Sequence, residues 1–290
     1  MAKETIVKDW TAYGDSTGFA ARGGRLDEPI DMSQPLKVYW VPGCSGCLRT
    51  KEFLKKHDVD FVSVNAFADK EAFDELAKLG VKRIPIAARG TQWADGQVLP
   101  DLARIAGINY DPPPKLSPAE LAQRGSRTMS VAQALMRRMP EEALGIQLPG
   151  RPRSYRQLCC HIFQIFEIFL ELVEDGRRLE FMSYLRDIPS DVVTVADLLN
   201  YHADIHAQFD AWWKRAGQRI DFTATADVYY GDVTLHHYFE RTVWHSAHHV
   251  RQLQTVCRAL GVPVEDGLKP ADLVGLPMPD EEYDDKIKLT

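Results

Sequence analysis

Two groups of residues in this 290-residue chain are of types and spacings that could do chemistry. The first is a CxxC, Cys44-Ser45-Gly46-Cys47. It follows the β-rich run Leu36-Lys37-Val38-Tyr39-Trp40-Val41 and the turn Pro42-Gly43. After it comes helical spacing, with Leu48, Phe53 and Leu54 as apolar anchors. A cysteine at a helix N-terminus meets free N–H donors and partial positive charge, and both favour the thiolate. Cys44 is therefore the expected attacking thiol. Cys47, one turn further in, is placed to resolve a mixed disulfide. A structural zinc ribbon would need a second CxxC or a CxxH pair nearby, and the sequence has neither.

The second group is Trp244-His245-Ser246-Ala247-His248-His249. His245 and His249 are i and i+4 and share one helical face, a geometry that can chelate a divalent metal. A third ligand must come from a neighbouring helix. His161 is the candidate, because it sits within the apolar face of its own helix. Three imidazoles with open positions are the pattern of a catalytic site rather than a closed structural one. Imidazole suits zinc, nickel, iron or copper, so the spacing does not choose the ion. His202 and His206 form another HxxxH, with Asp204 and Asp210 near them, as an alternative site or as support for the first. Cys159 and Cys160 directly precede His161 and read as small buried apolar residues.

The elements that must position these groups fall into two sets. Phe61 to Val64 reads as a second strand, Lys70 to Leu79 as a helix stopped by Gly80, and Ile84 to Ala88 as a third strand. Gln97 to Ile105 reads as a short strand or turn and then a helix. The order βαβαββα predicts a small α/β sandwich over 36–108. Residues 1–35 read as an extended arm. Asn109 to Leu116, with Pro112-Pro113-Pro114, is a semi-rigid linker. Beyond it, helices are predicted from Ser117 to Met139, Tyr155 to Glu174, Thr194 to Ala216 and Thr234 to Leu260. Cap residues stand at the first and third starts, Ser117 and Thr194, and Gly176, Gly217 and Gly261 follow the last three helices. Four such amphipathic helices predict an all-α, up-and-down four-helix bundle over 117–262. An acidic tail, 263–290, follows.

Composition narrows the function classes. The chain is 45% apolar and 26% charged, with a net charge of −6, so neither nucleic acid nor an anionic membrane is an expected partner. No apolar run approaches the roughly 20 residues of a membrane span. The first residues lack a signal pattern, and the five cysteines are an odd number, so a reducing cytoplasm is the expected compartment.

Residues 36 to about 107 resemble a glutaredoxin of the thioredoxin superfamily, on Val38-Tyr39-Trp40-Val41-Pro42-Gly43-Cys44-Ser45-Gly46-Cys47 and on Arg83-Ile84-Pro85. The resemblance implies a cis bond before Pro85 and a proline facing the CxxC, with adjacent backbone binding the cysteine moiety of glutathione. It places Arg83, Ile84, Pro85, Asp95 and Gly96 at a glutathione or similar thiol site. Asp95 stands where that family's glycine pair holds a carboxylate, and Arg49, Lys51, Arg83 or Arg89 would have to offset its charge. Residues 117 to about 262 resemble the DinB-like superfamily of metal-binding bundles. The stretches concerned are Tyr155-Arg156-Gln157-Leu158-Cys159-Cys160-His161-Ile162 and His245-x-x-His248-His249-x-x-Gln252-Leu253. That resemblance implies His161, His245 and His249 as ligands, with His248 outside them.

Together the two resemblances imply a metal-dependent transferase or adduct-processing enzyme for a small thiol such as glutathione. A thiol–disulfide oxidoreductase domain is fused to it, and the substrates are a thiol and an electrophile or disulfide. A homodimer is plausible for such a bundle. The alternative expectation is a non-catalytic redox module. There the CxxC reduces or senses a partner disulfide, and the bundle is a metal-stabilised dimerisation platform.

Overall fold

The computed structural model describes residues 29–148 and 153–284. Most of the arm predicted over 1–35 therefore lies outside the described residues. The chain divides into two compact units. One holds the residues up to Pro112 with Tyr230–Asp232 and Pro279–Asp284, and the other holds Pro113–Tyr229 and Val233–Met278.

In the first unit, β1 (Lys37–Trp40) leads into α1 (Ser45–Lys56), β2 (Val62–Asn65) and α2 (Ala72–Lys78). The chain continues as β3 (Ile86–Arg89), β4 (Gln92–Asp95) and α3 (Leu99–Ala106). The sheet order is β2-β1-β3-β4. β1 and β2 run parallel, as a strand–helix–strand crossover through α1 requires, while β3 pairs antiparallel with both β1 and β4. Leu36, Val38, Leu54, Ala87, Ala94, Leu102 and Ile105 form the core. The last strand lies earlier than the sequence pattern indicates. Gly90 takes a positive φ of 58°, and Arg89 pairs with Gln92, so a two-residue turn closes the hairpin before Gln97 is reached.

The second unit is built on α4 (Pro118–Met136), α5 (Tyr155–Asp175), α6 (Val195–Trp212) and α7 (Leu235–Ala259). Reciprocal capping boxes start the first three: Ser117 with Glu120, Ser154 with Gln157, and Thr194 with Asp197. Thr234 caps α7 through the His237 N–H. Gly176 ends α5 in the left-handed region, at φ 67°. A 3₁₀ turn, Phe181–Leu185, follows α5, and one wide turn, Trp213–Gly217, extends α6. A short ribbon, β5 (Thr225–Ala226) with β6 (Val233–Thr234), precedes α7, and a single-turn helix α8 (Pro270–Leu273) follows it. Phe163, Phe166, Phe169, Phe209, Trp212 and Phe239 are fully buried between the long helices. The architecture is thus a thioredoxin-like α/β domain followed by a helical bundle. No helix of the described residues is long and apolar enough to cross a membrane.

Candidate thiol and metal sites

Cys44 is the residue that caps α1. Its Sγ accepts the Cys47 backbone N–H at 3.1 Å, the bond through which a helix end would hold a thiolate. Cys44 and Cys47 are joined as a disulfide, with Cα atoms 5.2 Å apart. Cys44 is half-buried, whereas Cys47 is fully buried, so an incoming group meets Cys44 first.

The Ile84–Pro85 bond is cis. Gly96 ties that segment to the CxxC helix. Its N–H donates to the Pro85 carbonyl at 3.0 Å, and a Cβ there would collide with the Thr50 hydroxyl and come within 2.9 Å of Pro85 Cγ. The Thr50 hydroxyl is shared between the Gly46 carbonyl at 2.8 Å and the Gly96 carbonyl at 3.2 Å. Arg49 reinforces the junction by donating to the Gln97 carbonyl at 2.7 Å. Sequence reasoning did not single out Thr50 or Gln97 here. The only signal for Thr50 was its i+4 spacing from Gly46.

Asp95 is turned inward, with 1% of its surface exposed. Its carboxylate accepts from Arg83 Nε at 2.8 Å and from the Gln97 N–H at 2.9 Å. The four cations set against it by the sequence are each engaged. Arg83 bonds Asp95 itself and lies over Trp93. Arg49 holds the Gln97 carbonyl, and Arg89 donates to the carbonyls of Ile105 and Gln34. Lys51 lies 3.6 Å above the Trp40 ring and pairs with Asp284. The charge of Asp95 is thus neutralised within the fold, by Arg83.

In the bundle, α5 contributes His161 and α7 contributes His245 and His249. Their candidate ligand atoms all lie within 4.8 Å of one another. The Nε2 atoms of His245 and His249 are 3.2 Å apart, and the His161 ring centre is 5.0 Å from that of His249. Donors about 2.0–2.1 Å from a tetrahedral ion stand roughly 3.3 Å from each other, so the pair is spaced for a shared ion. Gln252 Oε1 lies 2.7 Å from His249 Nδ1 and orients that ring. His245 Nδ1 is buried with no hydrogen-bond partner. Burial and the nearby charge of Arg241 push the His245 pKa well below its ordinary value, which keeps the ring neutral, as a metal ligand must be. These residues fit a divalent ion.

The alternative pair does not converge in the same way. His202 is fully buried and stacks on Phe163 with ring centres 3.7 Å apart. His206 turns instead to the Ser126 hydroxyl at 2.8 Å. Among the described residues, the three-member ligand cluster is His161, His245 and His249. Cys159 and Cys160 are buried, and burial pushes the Cys160 thiol up to about 12. His248 is buried but is not part of the cluster. Sequence reasoning missed Tyr184, which the 3₁₀ turn brings 5.4 Å from His245 between ring centres.

Comparison with known proteins agrees with both halves. A family model described as the DinB superfamily matches residues 103–253, just over half of the chain, and a glutaredoxin model matches 36–87. The chain is 41% identical over 44 residues to an uncharacterized glutaredoxin-like 8.6 kDa protein in the rubredoxin operon of Clostridium pasteurianum, covering 15% of this chain and 59% of that one. It is 36% identical over 58 residues to the Gene 56 protein of Mycobacterium phage L5, covering 20% of this chain and 56% of that one. The chain thus spans a little over half the length of these relatives. No solved structure matches. With a thiol pair capping its first helix and three imidazoles gathered in its bundle, the chain belongs to the DinB superfamily and carries a glutaredoxin domain ahead of its DinB domain.

Proposed function

We propose that this protein is a thiol-handling enzyme whose DinB domain transfers a small thiol such as glutathione, or processes its adducts, at a divalent ion on His161, His245 and His249. The glutaredoxin domain serves the same chemistry by thiol–disulfide exchange, with Cys44 attacking and Cys47 resolving. The observation that carries this reading is the 3.2 Å approach of His245 Nε2 to His249 Nε2, in a chain that also caps a helix with a CxxC. A divalent ion bound there would deprotonate a coordinated thiol outright. The imidazoles must arrive neutral and oriented, and burial and Gln252 provide both conditions.

In the glutaredoxin domain, the backbone around Ile84, Pro85 and Gly96 is the surface proposed to receive the thiol. Asp95 and Arg83 hold that surface in shape by pairing with each other. Where the linker allows contact, tethering puts each domain at an effective concentration of up to about millimolar for the other.

The test separates the domains. Cys44→Ser should abolish disulfide reduction and leave metal content unchanged. His249→Ala should abolish metal binding and leave disulfide reduction intact. Stoichiometric metal retained after replacement of all three histidines would overturn the reading.

A further inference from the structure

A buried hydroxyl joins the thiol helix to the proline segment. Thr50 lies on α1, one turn after Gly46, and is fully buried. Its Oγ1 is 2.8 Å from the Gly46 carbonyl, inside the CxxC, and 3.2 Å from the Gly96 carbonyl. Gly96 in turn donates its N–H to the Pro85 carbonyl at 3.0 Å. Two hydrogen-bonded steps from Thr50 therefore reach the cis Ile84–Pro85 bond. The approach is as close as glycine permits. A Cβ at position 96 would stand 2.2 Å from Thr50 Oγ1 and 2.9 Å from Pro85 Cγ.

A threonine hydroxyl on a helix is satisfied by the carbonyl four residues back, so the bond to Gly46 needs no second element. The approach to Gly96 is set by tertiary packing. Arg49 shares the junction, but differently. It reaches the Gly96 carbonyl at 3.4 Å and the Gln97 carbonyl at 2.7 Å, so its shorter bond holds the residue beyond Gly96. The thiol is held by a bond that does not pass through Thr50. Cys44 Sγ accepts the Cys47 N–H at 3.1 Å, within the first turn of α1.

We propose that Thr50 is a positioning residue for disulfide exchange. Its hydroxyl sets where the Pro85–Gly96 backbone stands relative to the thiol helix, and so how a disulfide is presented to Cys44, while the reactivity of the sulfur is set elsewhere. This rests on the thiol–disulfide reading above. Being fully buried, Thr50 touches no incoming group and acts through Gly96. In the step concerned, the Cys44 thiolate attacks one sulfur of the disulfide and a new S–S bond forms. The old S–S bond breaks, and the other sulfur leaves as a thiolate that takes its proton from water. Attack needs the reacting sulfurs aligned, so a small displacement of the backbone that receives the disulfide is felt in the rate.

The experiment uses the reduced full chain with Cys47→Ser, so that exchange stops at the mixed disulfide on Cys44. Intact mass gives two second-order rate constants. One is for glutathione disulfide, which must be positioned. The other is for iodoacetamide, which needs only the thiolate. Thr50→Val keeps the side chain's shape and loses the hydroxyl. It should lower the first constant about tenfold and leave the second, with its pH midpoint, unchanged. The unchanged alkylation also shows that the helix end is intact in that variant. Thr50→Ser, which keeps the hydroxyl, should restore most of the lost rate. An unchanged first constant in Thr50→Val, a Thr50→Ser variant as slow as Thr50→Val, or two constants that fall together overturns the proposal while the thiol–disulfide reading stands. A chain with Thr50 in place that is alkylated at Cys44 yet forms no mixed disulfide overturns both.

Discussion

His249 Nδ1 and Gln252 Oε1 lie 2.7 Å apart, and both side chains are buried. A carboxamide oxygen only accepts, so the ring must donate there, which leaves the lone pair of Nε2 directed at His245. Gln252→Leu keeps the side chain's bulk and removes that acceptor. Metal affinity should fall about 10- to 100-fold, with helical content unchanged. Competition with a chromophoric chelator, alongside circular dichroism, measures both.

Cys44 is half-buried and Cys47 buried, the order of access that the proposed exchange, with Cys44 attacking and Cys47 resolving, requires. Cys47→Ser should trap a mixed disulfide with a small-thiol or peptide disulfide on Cys44, visible as an intact mass increase. Cys44→Ser should show no such adduct. An adduct on Cys47 in the second variant would reverse the assignment.

Gln97 packs its side-chain amide directly over Gly46, inside the space a Cβ would need. Gly46→Ala must therefore displace a side chain that is itself buried. Unfolding measurements should show a loss of about 1–3 kcal/mol, as overpacked cores do. Adding Gln97→Ala should recover part of it, so that the two changes are not additive.

His202 gives the bundle an acid-sensitive point. Burial lowers its pKa to about 3, while the unfolded chain binds a proton near the ordinary value of 6.5. Below pH 6.5 the unfolded state binds the extra proton and the folded state does not. Stability is therefore full above 6.5 and falls by up to about 1.4 kcal/mol per pH unit until the folded imidazole titrates. His202→Phe, which keeps the stacked ring on Phe163, should flatten that part of the pH dependence. Denaturant unfolding followed by fluorescence of the buried Trp212 and Trp244 reads it.

The order of elements in both domains was legible because it is written in local signals. Capping residues at Ser117 and Thr194, and the glycine that follows α5 at Gly176, bracket apolar periodicities with few alternatives, whereas the Ser154 cap of α5 showed only in the structure. The position of β4 was less legible. A four-residue strand of Gln-Trp-Ala-Asp has no alternation to announce it, and the Gly90 turn that sets its register acts only through pairing with β3. Asp95 was legible in part, since Arg83 was one of the four cations the sequence set against its charge. Its charge is visible in the sequence, but its burial against Arg83 is a property of the folded hairpin.

The sequence by itself determined which residues are proposed to carry chemistry. Cys44 and Cys47 follow from a strand–turn–helix pattern, and His245 and His249 follow from one helical repeat. These are short-range relations, and backbone geometry alone enforces them. Tertiary structure decided which other groups stand beside them. Packing α5 against α7 brings His161 to the pair, the turn after α5 brings Tyr184 against Arg241 and His245 of α7, and Gln97 closes over Gly46. Those neighbours are 51 to 88 residues apart in the sequence. Their meeting depends on how whole faces bury together, which no local spacing records.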